Sequence, residues 1–228
     1  MNTIVIATRN AHKVEEIQAI LSQRVQCCGL GQWWDQVPAV VEDQPTFEGN
    51  AGKKAHAIAE WLKANPQVFS NLTQGGPIGV LADDSGLEVD ALGGAPGVHS
   101  ARFAALDSHT AGANSPDQAN NAKLLRLLTG IARAQRTARF RCVLAWLPLA
   151  ANQSIPSPLF FQGRCEGLIA EHPAGTGGFG YDPLFVPDGE VLSFAELGAD
   201  RKNKISHRSQ ALAAFRAHLG FGGPGTGC

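Results

Sequence analysis

The chain has 228 residues, 44% of them hydrophobic, with 19 Lys and Arg against 20 Asp and Glu for a formal net charge of -1. A chain of this size can bury a substantial core without disulfides or a structural metal. Its near-neutrality supplies no general field for a nucleic-acid backbone or an acidic membrane surface, so any anionic ligand must be held locally. The longest strongly apolar stretch, residues 143–151, contains Pro148 and is far short of the roughly 20 residues that span a bilayer. The N-terminus lacks a basic leader region, and the five cysteines form neither a C-x-x-C pair nor an even framework. Together these features predict a cytoplasmic chain with reduced thiols.

Thr3 to Ala7 is β-branched and apolar and is bounded by Thr8-Arg9-Asn10, which predicts a short buried strand. A helix follows it, with Val14, Ile17, Ile20 and Leu21 at helical spacing and Lys13, Glu15, Glu16 and Gln18 facing away. The loop between them, Thr8-Arg9-Asn10-Ala11-His12-Lys13, sets backbone N–H groups beside hydroxyl, amide and ammonium side chains, a combination that suits a phosphate. It lacks the glycines of a P-loop, and a solvated turn in which Thr8 or Asn10 caps the helix explains it equally well.

A second helix is predicted from about Phe47 to Lys63, with Asn65-Pro66 as its stop. Ahead of it and within it stand Glu42-Asp43, Thr46-Phe47-Glu48-Gly49-Asn50 and Lys53-Lys54. The carboxylates suit a hard cation and a lysine suits a second phosphate, although acids before a helix are also favoured by its dipole. Residues 67–77 read as a polar insertion. Ile78 to Ala82 predicts another buried strand with Asp83-Asp84-Ser85-Gly86 straight after it, then Leu87 to Leu92 extended and a turn at Gly93-Gly94-Ala95-Pro96-Gly97. Adjacent acids at the end of a strand cost desolvation and mutual repulsion unless a metal or a lysine is near. One such carboxylate can bind Mg²⁺ while the other takes a proton from water, so the motif favours function over a plain turn.

Residues 105–116 read as a polar surface loop. Asp117 is placed to cap a helix carrying Leu124, Leu125, Leu127 and Leu128, closed by Gly130. Phe140, Cys142, Leu144 and Trp146 alternate with Arg139, Arg141, Val143 and Ala145, a strand with one wet face at its start. Leu159 to Ala170 and Pro183 to Val186 are further extended segments. Between them, Gly175-Thr176-Gly177-Gly178-Phe179-Gly180-Tyr181-Asp182 would let a planar ring stack while backbone and carboxylate read its edge. Ser206 opens a last helix with Leu212, Phe215 and Leu219. Its His207 and Arg208, with Lys202 before them, could serve a base carbonyl or a phosphate, or could simply be solvated. Residues 220–228 are predicted to be a disordered tail. This order of elements makes an α/β or α+β domain with a mixed sheet.

Taken in order, these clusters resemble the inosine triphosphate pyrophosphatase family, enzymes that hydrolyse deaminated purine nucleoside triphosphates. The resemblance is carried by Ala-Thr-Arg-Asn-Ala-His-Lys at 7–13, Thr-Phe-Glu-Gly-Asn-Ala-Gly-Lys-Lys-Ala at 46–55, and the run from Ala82 to Arg102 that opens Ala-Asp-Asp-Ser-Gly. Pro-Ala-Gly-Thr-Gly-Gly-Phe-Gly-Tyr-Asp-Pro-Leu-Phe at 173–185 and Lys-Asn-Lys-Ile-Ser-His-Arg at 202–208 complete it. It implies an α/β fold, an elongated two-lobed domain around a long mixed β-sheet with a nucleotide cleft between the lobes, over residues 1–219. It also implies a homodimer, Mg²⁺ as cofactor, and conversion of ITP, dITP and XTP to the monophosphate and pyrophosphate, with neither nucleic acid nor membrane as a partner.

By position, the resemblance assigns the triphosphate loop to Thr8, Asn10 and Lys13 with Arg9, Ala11 and His12 between them, and a second phosphate lysine to Lys54. Asp84 matches the general base, Glu42 and Asp84 the metal region, and Ser85, Phe179, Gly180, Tyr181, Asp182, Lys202, His207 and Arg208 the substrate pocket. Two positions depart from the pattern: Gly49 stands where many relatives have Glu, and His12 where Gly is common. A Maf-like nucleotide pyrophosphatase is an alternative that the Ser-His-Arg end and the Gly-Gly-Phe-Gly-Tyr-Asp loop oppose. A catalytically silent nucleotide-binding module is opposed by the retention of Asp83 and Asp84 beside the lysines.

Overall fold

Thr3, Ile4, Val5 and Ile6 are all buried, and they belong to β1 (Asn2–Ile6), a short strand hydrogen-bonded on both sides. It runs parallel to β2 (Val25–Gly29) and to β3 (Ile78–Val89), with Ile4 opposite Cys27 on one side and Gly79 on the other. The computed structural model describes residues 2–21, 25–33, 35–73, 78–107, 114–150 and 153–220. Beyond β3 the sheet continues through β4 (Thr137–Leu149), β5 (Leu159–Ile169) and β6 (Phe185–Pro187), in the order β2-β1-β3-β4-β5-β6. The β5–β6 pair is antiparallel, so the sheet is mixed as expected.

The helices of the described residues are α1 (Ala11–Leu21), α2 (Phe47–Ala64), α3 (Pro66–Thr73), α4 (Asp117–Leu127), α5 (Phe194–Ile205) and α6 (His207–His218). In α2 the Thr46 hydroxyl accepts the Gly49 N–H at the N-terminus, and Ala51, Ala55, Ile58, Ala59 and Leu62 form the buried stripe.

Several boundaries differ from the sequence expectation. β3 does not end at Ala82: it runs on through Asp83, Asp84, Ser85 and Gly86 to Val89. The acids are tolerated in mid-strand because each carboxylate meets a lysine. Pro66 does not only stop α2; it is the first residue of α3, where its missing N–H costs nothing. Helix α3 therefore occupies most of what read as an insertion, and the rest of that stretch, residues 74–77, lies outside the described residues, as do 108–113 and the tail from 221. Asp117 does not cap α4, which has Pro116 at its N-cap and no side-chain cap bond. Ser206 stands directly before α6, which starts at His207 as expected, and it is also the C-cap of α5, a helix the sequence did not reveal.

Contacts divide the chain into two units, one of residues 1–84, 143–162 and 209 onward, the other of residues 85–142 and 163–208. The first unit buries Ile4, Ile6, Ile17, Leu62 and Leu81, together with Trp146 and Phe215, whose rings lie 5.1 Å apart. The second has its own core of Leu87, Val89, Phe103, Leu124, Phe140, Phe185 and Phe194. Phe140 meets Phe185 edge-on at 4.8 Å, a preferred aromatic arrangement. The chain passes between the units within β3, β4 and β5, at 84/85, 142/143 and 162/163.

Candidate functional site

In the first unit, α1, α2, β3 and the loop before α2 bring five charged side chains together. Lys13 Nζ lies 2.5 Å from Asp83 Oδ1, and Lys54 Nζ lies 2.9 Å from Asp84 Oδ1 and 3.0 Å from Glu42 Oε1. Successive strand side chains leave opposite faces of a sheet, and the two neighbouring acids accordingly meet different lysines. Asp83 and Asp84 are buried and the Glu42 side chain is 33% exposed. Burial pushes the Asp84 carboxyl above the ordinary carboxylate range, against the pull of Lys54 and Lys13. For Lys54, burial acts to lower the ammonium, but Asp84 and Glu42 outweigh it and hold it above its ordinary value.

Three carboxylates and two ammonium groups leave this cluster with a formal charge of -1. Asp84 Oδ2 is buried and has no hydrogen-bond partner among the described residues. A buried carboxylate oxygen without a donor is costly, and a divalent cation held by Asp84 and Glu42 would satisfy it with the oxygen ligands that Mg²⁺ prefers. Among the described residues this donor set is a pair of carboxylates rather than a set of three or more, which fits a divalent cation that takes its remaining ligands from water or substrate.

The loop before α1 is built around a cap. Asn10 Oδ1 accepts the Lys13 N–H at 3.2 Å, Thr8 Oγ1 accepts the Asn10 N–H at 3.2 Å, and Arg9 donates to the Val37 carbonyl at 3.1 Å. Capping by Asn10, one of the two readings of this loop, is thus realised. Asn10, Ala11 and His12 are exposed, and His12 Nδ1 lies 3.6 Å from Glu15 Oε2. Gly49 also has a structural reason: a Cβ added there would stand 2.7 Å from Gln44 Cβ, so the base of the Gln44 side chain, in the loop after Glu42, occupies the room a side chain would need. That loop is pinned by Asn50, fully buried, whose amide bonds both the N–H and the carbonyl of Gln44.

In the second unit, Lys202 and Arg208 meet at the Phe179 ring, with Asp182 and Ser85 as their polar partners, while His207 and Tyr181 make other contacts. The Lys202 ammonium lies 2.5 Å from Asp182 Oδ2 and 4.7 Å from the centre of the Phe179 ring. Arg208 Cζ is 5.8 Å from the same ring, and its guanidinium donates to Ser85 Oγ at 3.2 Å. Asp182 Oδ2 also accepts the Phe179 N–H at 2.9 Å. Gly178, at a φ of 71°, adopts a conformation that favours glycine, and a Cβ there would overlap the Asp182 carboxylate. His207 is buried with its ring stacked 4.8 Å from Phe140, while Tyr181 is buried and donates its hydroxyl hydrogen to the Ser100 carbonyl at 2.9 Å.

Sequence reasoning gave Asp83 a share in the adjacent-acid motif but did not single it out as the partner of Lys13. It also overlooked Asp117 and Asn121 of α4, which bond the backbone of Gly180; the only signal for them was their spacing of one helical turn.

The chain matches the model of the Ham1 family over residues 4–218. It is 43% identical over 223 residues to a dITP/XTP pyrophosphatase of Geobacter sulfurreducens, covering 98% of this chain and 99% of that one. It is 46% identical over 210 residues to a dITP/XTP pyrophosphatase of Desulforamulus reducens, covering 92% and 91%. Among solved structures, a HAM1 protein from Coxiella burnetii superposes with a TM-score of 0.75 at 35% identity, covering 97% of this chain and 100% of that one. With sequence, fold and near-complete coverage in agreement, the chain belongs to the Ham1 family.

Proposed function

We propose that this chain hydrolyses the non-standard purine nucleoside triphosphates ITP, dITP and XTP to the monophosphate and pyrophosphate, removing them from the nucleotide pool. The observation that carries this reading is the Glu42–Lys54–Asp84 cluster, with Lys54 and Asp84 buried and one Asp84 oxygen unpartnered among the described residues, on a chain whose relatives bear the name dITP/XTP pyrophosphatase. A triphosphate brings about four negative charges, and a cluster of formal charge -1 would repel it. A divalent cation, Mg²⁺ in this reading, would reverse that sign and draw charge from the phosphate oxygens.

The residues of the chain would do the rest. Lys13 and Lys54 would share their charge with the phosphates, and Thr8, Arg9, Asn10, Ala11 and His12 would line the loop that receives them. Asp84 would take the proton of a water whose oxygen bonds to the α-phosphorus as the bond to the β-phosphate oxygen breaks. Its raised pKa makes it a better proton acceptor than an ordinary carboxylate. Phe179 would stack on the base, and the cations Lys202 and Arg208 beside it would match the 6-oxo group of hypoxanthine or xanthine, where adenine presents a donor. Ser85, His207, Gly180, Tyr181 and Asp182 would complete that pocket.

The reading includes a cytoplasmic homodimer in which residues 1–219 act as one domain. Light scattering should return twice the chain mass of 24.0 kDa. Among the described residues, no helix is long and apolar enough to cross a membrane. The deciding assay incubates the protein with Mg²⁺ and ITP, dITP, XTP, GTP or ATP and identifies the phosphate released. Pyrophosphate is expected, with kcat/KM for ITP about 100-fold above that for GTP; orthophosphate as the primary product, or equal kcat/KM for the two, would overturn the assignment.

A further inference from the structure

The glycine-rich loop of the second unit is held from α4 by two residues that the reaction above does not use. Asp117 Oδ2 accepts the Gly180 N–H at 2.6 Å, and Asn121 Nδ2 donates to the Gly180 carbonyl at 2.9 Å. Four residues apart, the two share one face of the helix, and they engage both backbone polar groups of a single residue. That residue has a φ of 63° and sits between Phe179 and Tyr181.

Asp117 stands in the first turn of α4 yet makes no cap bond there, its carboxylate being turned to the loop. Asn121 Oδ1 is buried with no hydrogen-bond partner among the described residues, so an amide at this position costs stability that an apolar side chain would not. What the amide supplies in return is its one bond to Gly180. Without the two bonds, Gly180 would regain the wide backbone freedom of glycine directly beside the ring that faces Lys202 and Arg208.

We propose that Asp117 and Asn121 are positioning residues that fix the Phe179 ring through Gly180, which makes α4 a determinant of selectivity for the purine base. The inference rests on the nucleotide reading given above. It separates selectivity, which depends on where the ring and cations stand, from the phosphate chemistry of Asp84.

The test measures kcat and KM for ITP and GTP, with Mg²⁺, in the wild type and in Asn121→Ala, Asp117→Ala, Asp117→Asn and Arg126→Ala. For the two alanine variants at 117 and 121, KM for ITP should rise about tenfold with kcat within about threefold, and the ITP-to-GTP ratio of kcat/KM should fall about tenfold. Asp117→Asn keeps an oxygen that can accept the Gly180 N–H and should recover most of the loss. Arg126→Ala, which changes a residue of the same helix α4 and removes its contact with Asp107 outside that helix, should leave the ratio unchanged. A preserved ratio in folded variants, or a loss confined to kcat, would overturn the proposal. Should Asn121→Ala fail to fold, the contrast between Asp117→Ala and Asp117→Asn decides alone. A wild type that does not distinguish ITP from GTP would instead overturn the nucleotide reading, and this inference with it.

Discussion

At Asp84, burial and charge act in opposite directions on one carboxyl group. Burial raises its pKa while Lys54 and Lys13 act to lower it, and burial is the larger effect. Asp84→Asn keeps the shape and removes the capacity to accept a proton: kcat should fall about 1000-fold with KM changed little, measured by pyrophosphate release from ITP. Near-normal turnover would exclude Asp84 as the base. Lys54→Met should have a different signature, because it leaves two carboxylates facing each other without their shared cation. The loss should be about 3 kcal/mol by denaturant unfolding, and adding Asp84→Asn to that variant should restore part of it; no recovery in the double variant would mean that the ion pair is not what Lys54 contributes. The residue types of this cluster were legible in the sequence as acids and lysines in motifs. Which lysine meets which acid was not, since Lys13 and Asp83 are joined by the strand order rather than by proximity in the chain.

At the scale of elements, long periodic segments were read closely and short or interrupted ones were not. Helix α2, with its alanine stripe, was placed within a residue of its observed end. Strand β2, Val-Gln-Cys-Cys-Gly, was missed because it neither alternates nor carries more than one β-branched residue. Helix α5 was missed although Ser193 and Glu196 form a full capping box, each side chain bonding the other's N–H. The intervening Gly198, at a φ of 76°, breaks the helical path and blurs the pattern. Ser193→Ala should therefore lower stability by about 1 kcal/mol; a wild-type unfolding midpoint would show that the box is dispensable.

Beyond the end of β3, Asp90 accepts from the Thr137 hydroxyl and the Arg139 guanidinium. The Thr137 bond, then Arg139, holds its carboxyl below the ordinary 3.8. Being depressed, this pKa contributes stability that is fully present above pH 3.8 and is lost as pH falls through the lower folded value. Thr137→Val should raise the Asp90 pKa toward its ordinary value in a carboxyl NMR titration. The small loss of melting temperature it causes at pH 7 should vanish in strong acid, whereas a penalty independent of pH would point to packing instead.

On the scale of the whole molecule, the mixed sheet was legible as a class and two lobes were expected, but which segments make up each of the two units was not. Each unit is assembled from separated segments, and β3, β4 and β5 each contribute to both. Local patterns cannot reveal such sharing, because a strand reads the same whichever core its residues enter. Among the predicted site residues, Asp84 and Ser85 are consecutive, yet they belong to different units. If a divalent cation is held by Glu42 and Asp84, its removal should act on the first unit's charge balance. Excess chelator should abolish ITP hydrolysis and added Mg²⁺ should restore it, while turnover in the metal-free protein would refute the electrostatic argument.

The interleaving of segments also sets an order of completion during synthesis. Both pieces of the second unit, residues 85–142 and 163–208, emerge before the first unit can close. The first unit, although it contains the opening strand, lacks Leu212 and Phe215 until α6 appears, and Phe215 is the ring that packs on Trp146. The first unit, which holds the lysine and acid cluster, therefore cannot have a finished core while the nascent chain stops short of Ser209.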